Sequence, residues 1–359
     1  MAITHPVTNE DTNIDPEFEA IFSSLPPADT PDEGDVGLAL SKERFNAVLI
    51  PLVMENYWPL LPDHTAYRVW NHKIPVEGGK IKIRCVMPTP AHADETFPLL
   101  IWYHGGGWMF GTLEMDDYHL RIVCVALRIS IVNVEYRLAP EHPFPTGLDD
   151  SFSALKWAAE NQSQLCADIN KGFIVGGQSA GANLATIVAH LARDDPFFDE
   201  YPLTGQLLQY PPLIHPDAYP ETFKPALQSM DRNADAPFLG RVQIKNIYNA
   251  LNASPTDPRV SPLLFPSHHK LPPAYIQACG LDPLCDEDIL YAKLLEASGV
   301  PSKLDVYPGL PHGFHLFFPK LTASEKIDHD FQDGIKWLLN ARGGPRMDLK
   351  GSRSDGSSG

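Results

Sequence analysis

Gly176-Gly177-Gln178-Ser179-Ala180-Gly181 sets one hydroxyl between positions that carry almost no side chain. The stretch follows an apolar run, Gly172-Phe173-Ile174-Val175, and precedes a helix-like segment over 182–191. A serine at such a strand–turn–helix junction has the form of a nucleophile elbow, a sharp turn that pushes its hydroxyl out toward a substrate. The turn is tight enough to require glycines at 177 and 181. G-x-S-x-G arises by chance in roughly one chain in ten of this length, so its companions must decide the matter.

The first companion is His104-Gly105-Gly106-Gly107-Trp108, directly after the apolar strand Leu99-Leu100-Ile101-Trp102-Tyr103. Successive glycines leave backbone N–H groups open to a ligand, and in acyl transfer such donors hold the oxyanion of the tetrahedral intermediate. Gly105 and Gly106 are the expected donors, with the Ala180 N–H as the third. No Gly-Lys-Ser/Thr follows, which excludes a P-loop. A serine hydroxyl needs a base. Among fourteen histidines the candidate is His312, in a loop just after a strand-like run. His104 is expected to fix the glycine loop, His142 to anchor another loop, and His268 and His269 to lie in a polar turn. His312 and His315 are spaced as a metal pair would be, but no third ligand stands nearby, so no metal is expected. Asp282 follows the strand Ala274–Cys279 and is the candidate to orient the imidazole. Asp286 and Asp288 compete, yet they fall in the first turn of the next helix, where carboxylates suit the helix dipole. Trp108, Met109, Tyr210, Leu281 and Phe314 stand beside these motifs as candidate pocket residues, each also readable as core. No cofactor is called for.

The elements that must position these groups alternate. Strands are expected at 67–75, 80–87, 99–104, 129–134, 173–176, 206–210, 274–278 and 303–307. Helices are expected at 116–127, 149–161, 180–194, 285–298 and 324–341. This predicts an α/β fold, a mainly parallel twisted sheet with helices on both faces. Val-Glu-Gly-Gly at 76–79 predicts a hairpin at an antiparallel edge. Residues 212–262 break the alternation and are too long for a plain connection. They are read as a helical cap insertion, with a helix at 239–248. The catalytic domain then spans 65–341. Residues 1–56 are expected to contribute to the cap, with a loosely ordered start and a short helix near 17–24. Within 37–56, Leu38, Leu40, Phe45, Val48, Leu49 and Leu52 form an apolar face that Pro51 should break or kink. The low-complexity tail 343–359 is expected to be disordered.

The 359-residue chain is 43% hydrophobic with a net charge of −17, and no basic cluster appears. That argues against nucleic acid and anionic membrane as partners. Five cysteines at irregular spacing suit a reducing compartment. The first residues lack a basic, then apolar, leader, and no apolar run reaches membrane-spanning length. A soluble cytoplasmic protein acting on a small molecule is expected. The sequence leaves a homodimer open.

Together, H-G-G-G-W, Tyr136-Arg137-Leu138-Ala139-Pro140-Glu141-His142-Pro143-Phe144-Pro145, G-Q-S-A-G, Asp282-Pro283-Leu284-Cys285-Asp286 and His312-Gly313-Phe314 resemble the hormone-sensitive-lipase family of α/β-hydrolases. The resemblance runs from about residue 65 to 341. It implies the α/β-hydrolase fold, a helical cap, and a serine carboxylesterase whose triad is Ser179, Asp282 and His312. It also implies that Glu141 supports the site structurally. Two departures stand out. Gln178 occupies a position that is commonly Asp in the family, and Cys285 one that is often Arg. The expected reaction is hydrolysis of small to medium apolar carboxylic esters through an acyl-enzyme. The alternatives are acyl transfer, thioester or lactone chemistry in natural-product tailoring, and a non-catalytic receptor, against which the complete triad argues.

Overall fold

Residues along Leu99–Tyr103 alternate between two buried surfaces. Leu99, Ile101 and Tyr103 join one apolar cluster, while Leu100 and Trp102 join another. A strand buried on both faces must lie inside a sheet covered by two helical layers. The computed structural model describes residues 13–25 and 37–341; the expected loose start and the tail 343–359 lie outside them.

The strands are β1 (Tyr67–Val76), β2 (Gly79–Pro88), β3 (Leu99–Tyr103), β4 (Ser130–Glu135), β5 (Phe173–Gln178), β6 (Gly205–Gln209), β7 (Ala274–Cys279) and β8 (Ser302–Tyr307). They form one eight-stranded sheet in the order β1-β2-β4-β3-β5-β6-β7-β8. Pairings from β4 to β8 are parallel, while β1–β2 and β2–β4 are antiparallel. The helices are α1 (Pro16–Phe22), α2 (Gly37–Tyr57), α3 (Asp117–Leu127), α4 (Thr146–Glu160), α5 (Ala180–Asp194), α6 (Ser229–Arg232), α7 (Arg241–Leu251), α8 (Cys285–Ala297), α9 (Phe314–Phe317) and α10 (Thr322–Asn340). Side chains of α4, α5 and α8 pack on the Ile101 face, and those of α3 and α10 on the Trp102 face. No helix among the described residues is long and apolar enough to cross a membrane.

Pro51 does not break α2, which runs through it from Gly37 to Tyr57. Leu49, Val53 and Tyr57, four residues apart, are buried against Met115 and Leu316. Pro51 and Ala47 sit on the exposed side, so the carbonyl that loses its helical partner faces water. Val48, expected on the apolar face, is also exposed.

The chain leaving β4 is clamped by an ion pair whose acid is buried and whose guanidinium is partly exposed. The Arg137 guanidinium donates to Asp150 Oδ1 at 2.7 Å and Oδ2 at 2.9 Å, and the Arg137 N–H adds a third bond at 3.0 Å. Asp150 is fully buried in α4. Removing one partner of such a pair costs about 3–5 kcal/mol, because the other charge is left uncompensated. Arg137 is partly exposed, which puts Asp150→Ala near the low end, at about 3 kcal/mol. The change is expected as a lower urea midpoint with an unchanged m-value.

Candidate active site

β5 enters α5 through Ser179, whose φ is +52° and ψ −121°. The close approach at this turn excludes side chains on both flanks. A Cβ on Gly177 would lie 2.3 Å from the Gly181 carbonyl carbon, and one on Gly181 would lie 2.0 Å from the Tyr103 carbonyl oxygen. The Ser179 N–H donates to the Gln209 carbonyl at 2.8 Å, pinning the turn to β6.

The Ser179 hydroxyl lies 2.8 Å from His312 Nε2, and His312 Nδ1 lies 2.5 Å from Asp282 Oδ2. With the proton on Nδ1, the ring donates to Asp282 and leaves Nε2 to accept from Ser179. Asp282 is fully buried just past β7, and its Oδ1 accepts the Leu284 N–H at 2.9 Å. His312 follows β8 and is only part-exposed, with the Tyr210 ring edge-on to it at 4.7 Å. Serine, histidine and carboxylate form one hydrogen-bonded line, the arrangement that activates a serine for attack on a carbonyl.

The glycine loop lies beside this line. Among the described residues, the N–H groups of Gly105, Gly106 and Ala180 donate to no protein acceptor. His104 sets the loop from beneath. It is fully buried, stacks on Tyr136 at 4.5 Å, and has Nδ1 2.8 Å from the Gly105 carbonyl. Burial pushes the His104 imidazole down to about 4, which keeps it neutral.

A cavity of about 480 Å³ opens over Ser179 and His312. Trp108, Met109 and Tyr210 line it. Leu281 and Phe314 do not: Phe314 is fully buried near Tyr307, and Leu281 is a part-exposed residue tied through its N–H to Leu310. Phe45 and Leu49 of α2 and Ile244, Ile247 and Tyr248 of α7 complete an apolar wall. Glu141 stands apart from the site; it is largely exposed and pairs with Lys42 of α2. His268 is buried rather than part of a polar turn, with Nδ1 3.4 Å from His190 Nε2 and its ring edge-on to Tyr291. His315 is buried too, and burial lowers it to about 4.

Of the competing acids, Asp286 serves the wall, while Asp288 is fully buried in α8 and neither of its carboxylate oxygens has a hydrogen-bond partner among the described residues. Asp286 Oδ2 accepts the Gln228 and Ser229 N–H groups, each at 2.7 Å, at the start of α6. Glu287, absent from the sequence reading, accepts the Leu213 and Ile214 N–H groups at 2.7 and 3.0 Å and the Tyr219 hydroxyl at 3.0 Å. Asn183 of α5 donates to the carbonyls of Pro212 and Val260, at the two ends of the 212–262 segment. Neither residue belongs to a motif; its role depends on a segment distant in sequence.

Burial raises the Glu287 carboxyl from 4.5 to about 8. The folded state therefore holds this proton more tightly than the unfolded chain does. The resulting stability is complete below about pH 4.5 and is lost as pH rises through about 8. Glu287→Gln keeps a carbonyl for the two N–H donors and an amide for Tyr219, but it cannot ionise. Urea melts between pH 5 and 8 are expected to show the variant gaining on the parent by about 1 kcal/mol per pH unit.

Comparison with known proteins follows the same lines. A family model described as the alpha/beta hydrolase fold matches residues 100–316. The chain is 34% identical over 331 residues to an AB hydrolase superfamily protein of Schizosaccharomyces pombe, covering 92% of this chain and 95% of that protein. It is 33% identical over 336 residues to carboxylesterase NlhH of Mycobacterium tuberculosis, covering 92% of this chain and 97% of that enzyme. The crystal structure of vibralactone cyclase matches with a TM-score of 0.91 at 42% identity, over 95% of this chain and 99% of that one.

Proposed function

The chain belongs to the hormone-sensitive-lipase-type family of α/β-hydrolases, and from that premise we propose that it is a serine carboxylesterase with Ser179 as nucleophile. The observation that carries this is the continuous hydrogen-bonded line from the Ser179 hydroxyl through His312 to buried Asp282. As Oγ attacks the ester carbonyl, His312 Nε2 takes its proton, and Asp282 stabilises the imidazolium. The N–H groups of Gly105, Gly106 and Ala180 receive the oxyanion. Collapse of the intermediate expels the alkoxide, which takes the proton from Nε2 and leaves as the alcohol. Water then gives a proton to Nε2, attacks the acyl-enzyme, and releases the acid and the free serine.

The apolar cavity supports small to medium apolar esters as substrates. Trp108, Met109 and Tyr210 are the proposed substrate contacts. Within the expected cap segment 1–56, the described helix α2 acts with the insertion 212–262 as a cap on a catalytic body spanning 65–341. An acidic chain with five unpaired cysteines supports a cytoplasmic setting without a nucleic-acid partner.

A second reading is favoured by the match to vibralactone cyclase. In this reading a hydroxyl, rather than water, attacks the acyl-enzyme. A hydroxyl on the same acyl chain would close a lactone, with the proton again leaving through His312.

Turnover of p-nitrophenyl butanoate tests both readings, since each begins with acylation of Ser179. Ser179→Ala is expected to lower kcat by at least about 10⁴-fold. An organophosphonate should add one phosphonyl group to Ser179, visible by peptide mass. An active Ser179→Ala variant, or labelling elsewhere, would overturn the assignment.

A further inference from the structure

The proposed oxyanion donors are reached from the N-terminal helix through one side chain. Asn46 of α2 accepts the Gly111 N–H on its Oδ1 at 3.2 Å. Gly111 has a φ of +90°, and a Cβ there would lie 2.6 Å from both the Gly105 carbonyl oxygen and His104 Nδ1. Gly111 is therefore pressed onto the peptide between Gly105 and Gly106. That peptide is planar, with the Gly105 carbonyl at one end and the Gly106 N–H at the other. Whatever holds the carbonyl also aims the N–H. His104 Nδ1 holds the carbonyl at 2.8 Å. The loop closes on itself where the Met109 and Phe110 N–H groups donate to the Gly106 carbonyl at 3.0 and 2.8 Å. The Phe45 and Phe110 rings, 5.1 Å apart, seat the helix on the same loop.

We propose that Asn46 is a positioning residue for the reaction, holding Gly111 so that the Gly106 N–H points at the developing oxyanion. The proposal rests on the esterase reading above. It makes α2 part of the catalytic geometry as well as a cavity wall. Loss of a whole oxyanion donor costs about 10²–10³ in kcat. Loosening one costs less.

In the full chain, Asn46→Leu is expected to lower kcat on p-nitrophenyl butanoate about 5- to 20-fold with KM changed less than about twofold. Asn46→Gln keeps a neutral amide acceptor and is expected to recover part of the rate. A trifluoromethyl ketone supplies a readout that a merely structural role would not move. Ser179 Oγ adds to its carbonyl carbon, the proton passes to His312, and the oxyanion left behind needs the same donors. Its inhibition constant should weaken by the factor by which kcat/KM falls. Lys42→Ala removes the polar tie between α2 and Glu141 without touching Gly111 and should leave kcat unchanged. The proposal is overturned if Asn46→Leu raises KM alone or leaves kcat intact, or if Lys42→Ala lowers kcat as much. In those cases turnover that still requires Ser179 leaves the esterase reading standing. Absence of any Ser179-dependent turnover in the parent chain would remove that reading itself.

Discussion

The site depends on how closely β5 and α5 approach β3 at Ser179. There is no room for a Cβ at Gly177 or Gly181, and Ser179 itself is held at a positive φ. Such a backbone costs of order 1–3 kcal/mol and persists only where its surroundings over-determine it. Here they do. The Ser179 N–H is bound to β6, and the opening of α5 is built from Ala180, Gly181 and Ala182, all buried. Small residues let the helix axis lie close against the sheet. The result is a hydroxyl raised over the carboxyl ends of the parallel strands, where the loops after β3, β7 and β8 converge.

The cavity wall is held by the helices that follow these same loops. Asn183 lies one turn beyond Ser179 and binds both ends of the 212–262 segment. Asp286 and Glu287 lie one turn beyond Asp282 and bind backbone N–H groups at its root and at α6. The segment has little regular structure of its own. Buried polar anchors, each satisfying backbone groups that would otherwise be costly to bury, take the place of a sheet or bundle.

What could be read from the chain follows from how local each signal is. Central strands such as β3 and β5 are apolar runs ended by turn residues, so the alternation of strands with helices and the mainly parallel sheet were legible. Ser179, Asp282 and His312 each follow such a run, and the structure joins these distant residues by hydrogen bonds. Local propensity at Pro51 predicts a break or a kink; α2 is not broken there, and Leu49, Val53 and Tyr57 are buried on the opposite side. Adjacency to the motifs leaves Leu281 and Phe314 readable as pocket or core, and neither lines the cavity, because neighbours in a loop point different ways. Asn46, Asn183 and Glu287 had no signal, because an amide or carboxylate that binds a distant backbone leaves no pattern in its own sequence.

Gln178 shows why a neutral group fits directly before the nucleophile. Its side chain is buried, and its Oε1 would lie 2.9 Å from a Cβ placed on Gly105, behind the glycine loop. The proposed reaction gathers negative charge on the front of that loop. A carboxylate behind it would repel this charge through a poorly screened interior and would pay for its own desolvation. An amide of nearly the same shape avoids the charge, although its Oε1 is itself buried without a hydrogen-bond partner among the described residues. Asp282 lies on the far side of the imidazole, where it would oppose the cation proposed to form on His312. In the proposed transition state charge is separated along a line, anionic toward the backbone donors and cationic toward the buried acid, and a neutral Gln178 adds no charge to that line.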